Sequence, residues 1–233
     1  MLEVTDLHSF YGRAHILHGV TFSLLAGEVL VLLGRNGAGK STVMKSLIGL
    51  VRPASGRITF AGQDIAGLPP HRIARVGLGY VPEERRIFTD LTVLENLEVG
   101  RQPPRPGVRP WSHEDLFKLF PNLARMQDRQ GGRMSGGEQQ MLTIARTLMG
   151  NPAAILLDEP SEGLSPLIVQ HMEAAIHALK RQGVTVLLAE QNLHFAVRVA
   201  DRAAVIETGH IVWTGSIQEL QQDERVRQAY LAV

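Results

Sequence analysis

Three stretches of the chain are apolar without interruption and end on glycine or acid: EVLVLLG (28–34), AAILLDE (153–159) and GVTVLLAEQ (183–191). A strand with one wet face alternates apolar and polar residues, whereas an unbroken run is covered on both faces. These runs therefore predict buried strands of a parallel sheet flanked by helices. Within 138–149, Met141, Ile144, Ala145, Leu148 and Met149 fall at i, i+3, i+4, i+7 and i+8, predicting a helix with one apolar face. Two-residue alternation marks other segments. RAAVIE, the pair Thr208-Gly209 and HIVWTG read as a late hairpin, and GRITFAG (56–62) as a further antiparallel strand. RQPPRPGVRP (101–110) breaks any regular element and reads as a solvated loop within a helical insertion running from about residue 85 to 151.

Composition narrows the function classes. The 233 residues suffice for one core, and 44% hydrophobic against 20% charged is a globular balance. Net charge is +1, from 24 basic and 23 acidic residues, so the clustered positive charge of a nucleic-acid binder is missing and no nucleic-acid partner is expected. There is no cysteine, which excludes a disulfide framework and a thiolate zinc site. The opening MLEVTDLHSF lacks a basic-then-apolar signal pattern. No apolar run nears the roughly 18 residues that span a bilayer. A soluble chain is expected, with any membrane role exercised through partners.

The first chemistry lies after the first buried run. GRNGAGKS (34–41) satisfies G-x-x-x-x-G-K-[ST], placed between a strand and a helical pattern as that motif requires. Gly34, Arg35, Asn36, Gly37, Ala38 and Gly39 let successive backbone N–H groups face phosphate oxygens, and the helix start adds partial positive charge. Lys40 can reach the β- and γ-phosphates, the Ser41 hydroxyl can ligate Mg²⁺, and Thr42 adds a contact on the α-phosphate side. This loop binds a nucleoside triphosphate, but alone it does not choose between kinase, GTPase, helicase and transporter motor. AAILL then delivers Asp158 and Glu159 at a strand's carboxyl end, where ligands of open parallel sheets collect. Asp158 suits the magnesium shell and Glu159 the base that polarises water, a role worth about 10² to 10⁴ in rate.

A second glycine pair stands in MSGGEQQ (134–140). Ser135, Gly136, Gly137 and Glu138 precede the amphipathic helix. An N-cap followed by flexible glycines explains them, and so does a second anion site built from helix-start N–H groups.

GRNGAGKS, MSGGEQQ and AAILLDEP, in this order, resemble the nucleotide-binding subunits of ABC transporters along essentially the whole chain. The resemblance implies an α/β P-loop NTPase (RecA-like) core with a parallel sheet, an antiparallel β subdomain and an inserted α-helical subdomain. It divides a single domain, 1–233, into a core of 1–84 and 152–233 and a helical subdomain of 85–151. It implies an ATPase using ATP and Mg²⁺, in which Ser135–Glu138 of one subunit close over ATP held by the loop of the other. Met134 stands where the family usually has leucine. Tyr11, in SFYGRAHIL, matches the aromatic that stacks on adenine. Glu83 replaces the usual glutamine that touches Mg²⁺, and PSEGLSP (160–166) is the loop crossing between subunits, with Ser165 where aspartate is common. Gln191 occupies the place of a histidine that holds the γ-phosphate; its amide positions and does not take a proton near pH 7.

Glu83, SEGLSP and AEQN together resemble the second ATPase subunit of branched-chain amino acid importers. That implies leucine, isoleucine and valine as cargo, a homo- or heterodimer of ATPase subunits, two membrane permeases and, indirectly, a periplasmic binding protein. It implies a peripheral place at the cytoplasmic face of the inner membrane. Urea and short-amide importers are the related alternative. A soluble ABC ATPase of translation, DNA repair or iron–sulfur assembly is the alternative outside transport.

Overall fold

The structure, a computed structural model, describes residues 1–230; the last three residues of the closing segment VRQAYLAV lie outside the described residues. The chain opens with β1 (Leu2–Tyr11), β2 (Ala14–Leu24), β3 (Val29–Leu33) and α1 (Lys40–Leu47), followed by β4 (Ser55–Phe60), β5 (Gln63–Asp64), α2 (Pro70–Val76) and β6 (Leu78–Val81). The helices α3 (Val93–Gly100), α4 (His113–Leu119), α5 (Pro121–Ala124) and α6 (Gly136–Leu148) precede β7 (Ala154–Asp158). Then come α7 (Pro166–Arg181), β8 (Thr185–Glu190), α8 (Leu193–Val199), β9 (Arg202–Glu207), β10 (His210–Ser216), α9 (Ile217–Gln222) and α10 (Glu224–Tyr230).

The three apolar runs are β3, β8 and β7, adjacent in a six-stranded sheet of order β10-β9-β3-β8-β7-β6. Their mutual pairings are parallel, and every residue in them is buried. The lack of alternation has a direct cause, since the sheet separates two cores. Val29, Val31, Leu33, Ile155, Leu157, Val186 and Leu188 face a cluster built with the helical insertion, α7 and α8. Leu30, Leu32, Leu156 and Leu187 face a second cluster shared with α1 and with β1, β2 and β4. Those last strands belong to an antiparallel sheet of order β2-β1-β4-β5.

The late hairpin is present, with Glu207 opposite His210, but β9 also pairs in parallel with β3 and so belongs to the central sheet. GRITFAG forms β4, antiparallel to β1. The predicted helix 138–149 begins earlier, at Gly136, because Ser135 caps it.

The 101–110 loop is solvated as its composition predicts, with eight of its ten residues exposed, and Arg105 is the residue that fastens it to the rest of the fold. Arg105 donates through Nε to the Asn151 carbonyl (2.9 Å), through Nη2 to the Ala74 carbonyl (2.8 Å) and through Nη1 to the Arg75 carbonyl. The last two are carbonyls of the final turn of α2, where the Ala74 carbonyl also accepts from the Gly77 N–H (3.1 Å), and an arginine there adds donors and favours the helix dipole. Buried Asn151 accepts from the Trp111 N–H (2.8 Å) and donates to the Gln102 carbonyl (2.9 Å).

Asn151→Ala would leave the buried Trp111 N–H without an acceptor. It would also place alanine at a φ of 51°, where asparagine is better tolerated. Urea denaturation is expected to show a loss of about 2 kcal/mol, the usual cost of orphaning a buried donor. An unchanged midpoint would show that this side chain does not hold the loop.

Candidate active site

Strand β3 ends at Leu33, and the loop that opens with Gly34 is fastened to the sheet on both sides. Gly34 N–H donates to the Glu190 carbonyl (3.3 Å), and Gly209 N–H to the Ala38 carbonyl (2.9 Å). Gly39, the residue before α1, has φ 114°, and a Cβ there would stand 3.0 Å from Leu17 Cδ2. The conformation calls for glycine, and a Cβ would in addition crowd Leu17. Helix α1 has no side-chain cap and no acidic residue in its first turn. Its leading N–H groups and dipole are thus left to an anion, as a phosphate site needs. Arg35, Asn36, Gly37 and Ala38 line a cavity of about 320 Å³ beside the loop, with Thr208 and Tyr230 on its far wall.

Lys40 is 3% exposed, and each of its three donors has a partner: the Gly34 carbonyl (2.9 Å), the Arg35 carbonyl (3.1 Å) and Glu159 Oε1 (3.0 Å). A phosphate reaching this ammonium exchanges against those contacts. Ser41 Oγ donates to Asp158 Oδ1 (3.0 Å), and the Tyr80 hydroxyl donates to Asp158 Oδ2 (3.1 Å). Burial pushes the Asp158 carboxyl upward, and the hydrogen bonds from Ser41 and Tyr80 oppose that shift. Burial, followed by the Asp158 charge, raises the Tyr80 phenol, which keeps it a donor. Glu159 is buried and has φ 46°, a conformation costing a non-glycine residue about 1–3 kcal/mol. Its N–H still joins the sheet through the Ala189 carbonyl (3.0 Å), while its carboxylate meets Lys40.

Ser41 and Asp158 supply hard oxygen donors of the kind Mg²⁺ takes, and one carboxylate is a usual protein share when phosphates provide other ligands. Among the described residues no group of three or more His, Asp or Glu could hold a metal alone. The donor set fits an ion shared with a nucleotide. Glu83 is exposed, and its charge helps raise the Glu162 carboxyl.

The other expected residues divide between two places. Thr42 is buried in the first turn of α1, Gln191 is exposed just beyond β8, and Tyr11 is half exposed at the tip of the β1–β2 hairpin. Ser135 to Glu138 form a separate group. Ser135 Oγ accepts from Glu138 N–H (3.4 Å), and Glu138 Oε2 accepts from Ser135 N–H (2.7 Å), so the capping reading of this stretch is fulfilled. Gly136 lies under the Arg85 guanidinium, where a Cβ would come within 2.4 Å of Nη1. Gly137 lies against Ile168. Among the described residues no hydrogen bond joins 134–138 to 34–42.

Tyr80, Glu162 and Glu190 also belong to the site and were not singled out from the sequence. Glu190 had a signal, being an acid at the carboxyl end of a buried strand, as Asp158 is. Tyr80 had none, because its role is a contact with a residue 78 positions away.

A sequence model of the ABC transporter family matches residues 17–162. The chain is an ABC transporter ATPase. BraG of Pseudomonas aeruginosa, a high-affinity branched-chain amino acid transport ATP-binding protein, is 43% identical to this cassette over 231 residues, 99% of each chain. LptB of Haemophilus influenzae, a lipopolysaccharide export system ATP-binding protein, is 37% identical over 234 residues, 99% of this cassette and 97% of LptB. A solved nucleotide-free ATP-binding cassette from an ABC transporter matches with TM-score 0.83 and 27% identity, over 100% of this cassette and 98% of that chain. The expected P-loop core with an antiparallel subdomain is thus the fold of this ATPase.

The cassette's Glu162 carboxyl is pushed up to about 7, first by its hydrogen bond with Glu159, then by burial and by the charges of Glu159, Glu83 and Glu190. Between the ordinary value of 4.5 and about 7 the folded chain keeps a proton that the unfolded chain releases. Stability therefore falls as pH rises through that window. Glu162→Gln is expected to gain on wild type in denaturation experiments as pH rises from 4.5 to about 7. A constant difference across the window would refute the shared proton.

Proposed function

We propose that this ATPase is the motor subunit of an importer for leucine, isoleucine and valine. The carrying observation is the 43% identity to BraG over 99% of both chains. Glu83, SEGLSP and AEQN point the same way. Export of lipopolysaccharide is the second reading, favoured by the 37% identity to LptB.

In this reading two cassettes, or one cassette and a sister subunit, bury ATP between them. The first-turn amides of α1 and Lys40 hold the phosphates, Tyr11 stacks on adenine, and Ser135–Glu138 complete the site of the opposite subunit. The separation of Ser135–Glu138 from the phosphate loop within one chain supports this division. Ser41 and Asp158, joined on the family resemblance by Glu83, would hold Mg²⁺, which would neutralise phosphate charge when bound. Glu159 takes the proton of the attacking water as base, and Gln191 orients that water without titrating. Lys40 leaves Glu159 for phosphate, which frees the carboxylate for water.

No described helix is long and apolar enough to cross a membrane, so two permease subunits provide the channel. A groove of about 610 Å³ lies between core and helical insertion, walled by Ala74, Tyr80, Phe88, Val99 and Arg146. We assign it to a permease helix at the cytoplasmic face of the inner membrane, with a periplasmic binding protein delivering cargo opposite.

Glu159→Gln is expected to bind ATP as wild type does, hydrolyse it about 10² to 10⁴ times more slowly, and accumulate as a closed pair in size-exclusion chromatography with ATP. Turnover at the wild-type rate would remove Glu159 from the role of base.

Cargo is tested by uptake. Cells lacking this subunit are expected to lose high-affinity uptake of radiolabelled leucine, isoleucine and valine while lipopolysaccharide reaches the surface normally. The reverse pattern would select the export reading.

A further inference from the structure

Glu190 is the last residue of β8 and is 1% exposed. A carboxylate so buried is costly unless its oxygens are hydrogen-bonded. Here both are. Oε1 accepts from the Ser161 N–H (3.1 Å) and Oε2 from the Asn192 N–H (3.3 Å), while the backbone carbonyl accepts from the Gly34 N–H (3.3 Å). Among the described residues no Lys, Arg or His forms an ion pair with Glu190, so neutral donors hold it, at Ser161 first and then at the Asn192 N–H. Burial raises its pKa, and the donors at Ser161 and Asn192 pull it back.

One residue thus joins three segments of the site: the start of the phosphate loop, the 160–166 segment, and the Gln191–Asn192 turn. The chemistry of the contact is specific. Two N–H donors converge from opposite sides, and both need acceptors. A carboxylate offers two oxygens; glutamine, with the same shape, offers one oxygen and one NH₂, which would face an N–H donor to donor. Aspartate keeps the charge but is shorter by one methylene and cannot span the two segments. The Asn192 side chain in turn caps α8 by accepting from the Phe195 N–H (3.1 Å), so Glu190 also sets where α8 begins.

We propose that Glu190 is a positioning residue for ATP hydrolysis: its carboxylate locks the 160–166 segment and the Gln191–Asn192 turn in one register. A displacement of 160–166 on subunit pairing thereby moves Gln191 of the same chain. The latch never touches nucleotide. It acts on the geometry of the water-orienting amide, where an error of about 1 Å is enough to cost 10²-fold in rate. This inference rests on the reading that 160–166 lies at the subunit interface and that Gln191 faces the reacting phosphate.

The test compares wild type, Glu190→Gln and Gln191→Ala in the full chain, reading steady-state kcat, affinity for a fluorescent ATP analogue and thermal melting. For Glu190→Gln we expect analogue affinity within about twofold of wild type and a kcat lowered at least about tenfold, the scale of one lost charge-assisted hydrogen bond. A kcat within twofold of wild type would overturn the latch, as would a loss accounted for by weaker nucleotide binding or by a smaller folded fraction at the assay temperature. If Gln191→Ala turns over normally while Glu190→Gln does not, the placement of Gln191 at the phosphate fails and the latch acts through 160–166 alone. Should Glu190→Gln not fold, amide exchange in wild type decides. ATP is expected to shift protection of the Ser161 and Asn192 amides together, and a shift at one without the other would overturn the proposal.

Discussion

In the central sheet Leu33 stands opposite Glu190, and Asp158 opposite Ala189. This parallel register places three strand ends side by side, and each end hands over a different piece of chemistry. β3 releases the phosphate loop, β7 presents Asp158 and Glu159, and β8 presents Glu190 and Gln191. A slip of one residue would turn each apolar set to the opposite face, because strand side chains alternate with period two. Here both faces are buried, so the penalty for slipping comes from shape on either side rather than from exposure. Large residues fill both clusters, with Leu33 and Leu188 on one face and Leu32 and Leu187 on the other. Catalytic geometry is thus a consequence of core packing two layers deep.

That convergence creates an electrostatic problem. Asp158, Glu159, Glu162, Glu190 and Glu83 crowd the place where a triphosphate binds, and Glu162 registers the crowding in its raised carboxyl. Each buried acid is stabilised separately. Asp158 is met by two hydroxyl donors, Glu159 by the Lys40 ammonium and Glu190 by two backbone N–H groups. In the proposed reading only the Lys40 contact is also a phosphate contact. Anion entry therefore disturbs Glu159 first and leaves Asp158 and Glu190 anchored, which suits a group that must be released to meet water while its neighbours stay still.

The buried strands and the phosphate loop were legible in the sequence because their signals are local: an unbroken apolar run, a glycine spacing, an acid at a strand end. The β1–β2 hairpin was hidden. Register shifts between Val4 and Leu7, between Leu7 and His8, and between Ser9 and Phe10 break its alternation, and Asp6 adopts φ 51°. Composition placed the 101–110 loop in solvent correctly, but it gave no sign that Arg105 reaches across to the carbonyls ending α2. Tyr80 and the full role of Glu190 depend on partners far away in sequence, so no local pattern encodes them. Ser135 shows a different limit. Capping and anion binding use the same hydroxyl and the same N–H groups, so the letters support both and the fold satisfies the first without removing the second.

The helical lobe is joined to the core by more than chain connectivity. The segment after β6 carries Arg85 and Arg86 in consecutive left-handed conformations, at φ 64° and 48°. Such a pair persists only where its surroundings hold it. Thr143 Oγ1 donates to the Arg85 carbonyl (2.8 Å), Arg146 Nη2 donates to the Arg86 carbonyl (2.7 Å), and the Arg146 guanidinium lies 5.0 Å from the Phe88 ring centre. All of these donors sit on α6, whose first turn carries Ser135 and Gly136, and Gly136 has no side chain where the Arg85 guanidinium rests. The connection thus grips α6 at its start and along its length. A push on Phe88 or Arg146 from the groove they line passes to α6 through short hydrogen bonds, one of them part-buried, rather than through a loose hinge. If, as proposed, α6 bears the half-site for the opposite subunit, movement in the groove and closure over a partner's nucleotide become one displacement.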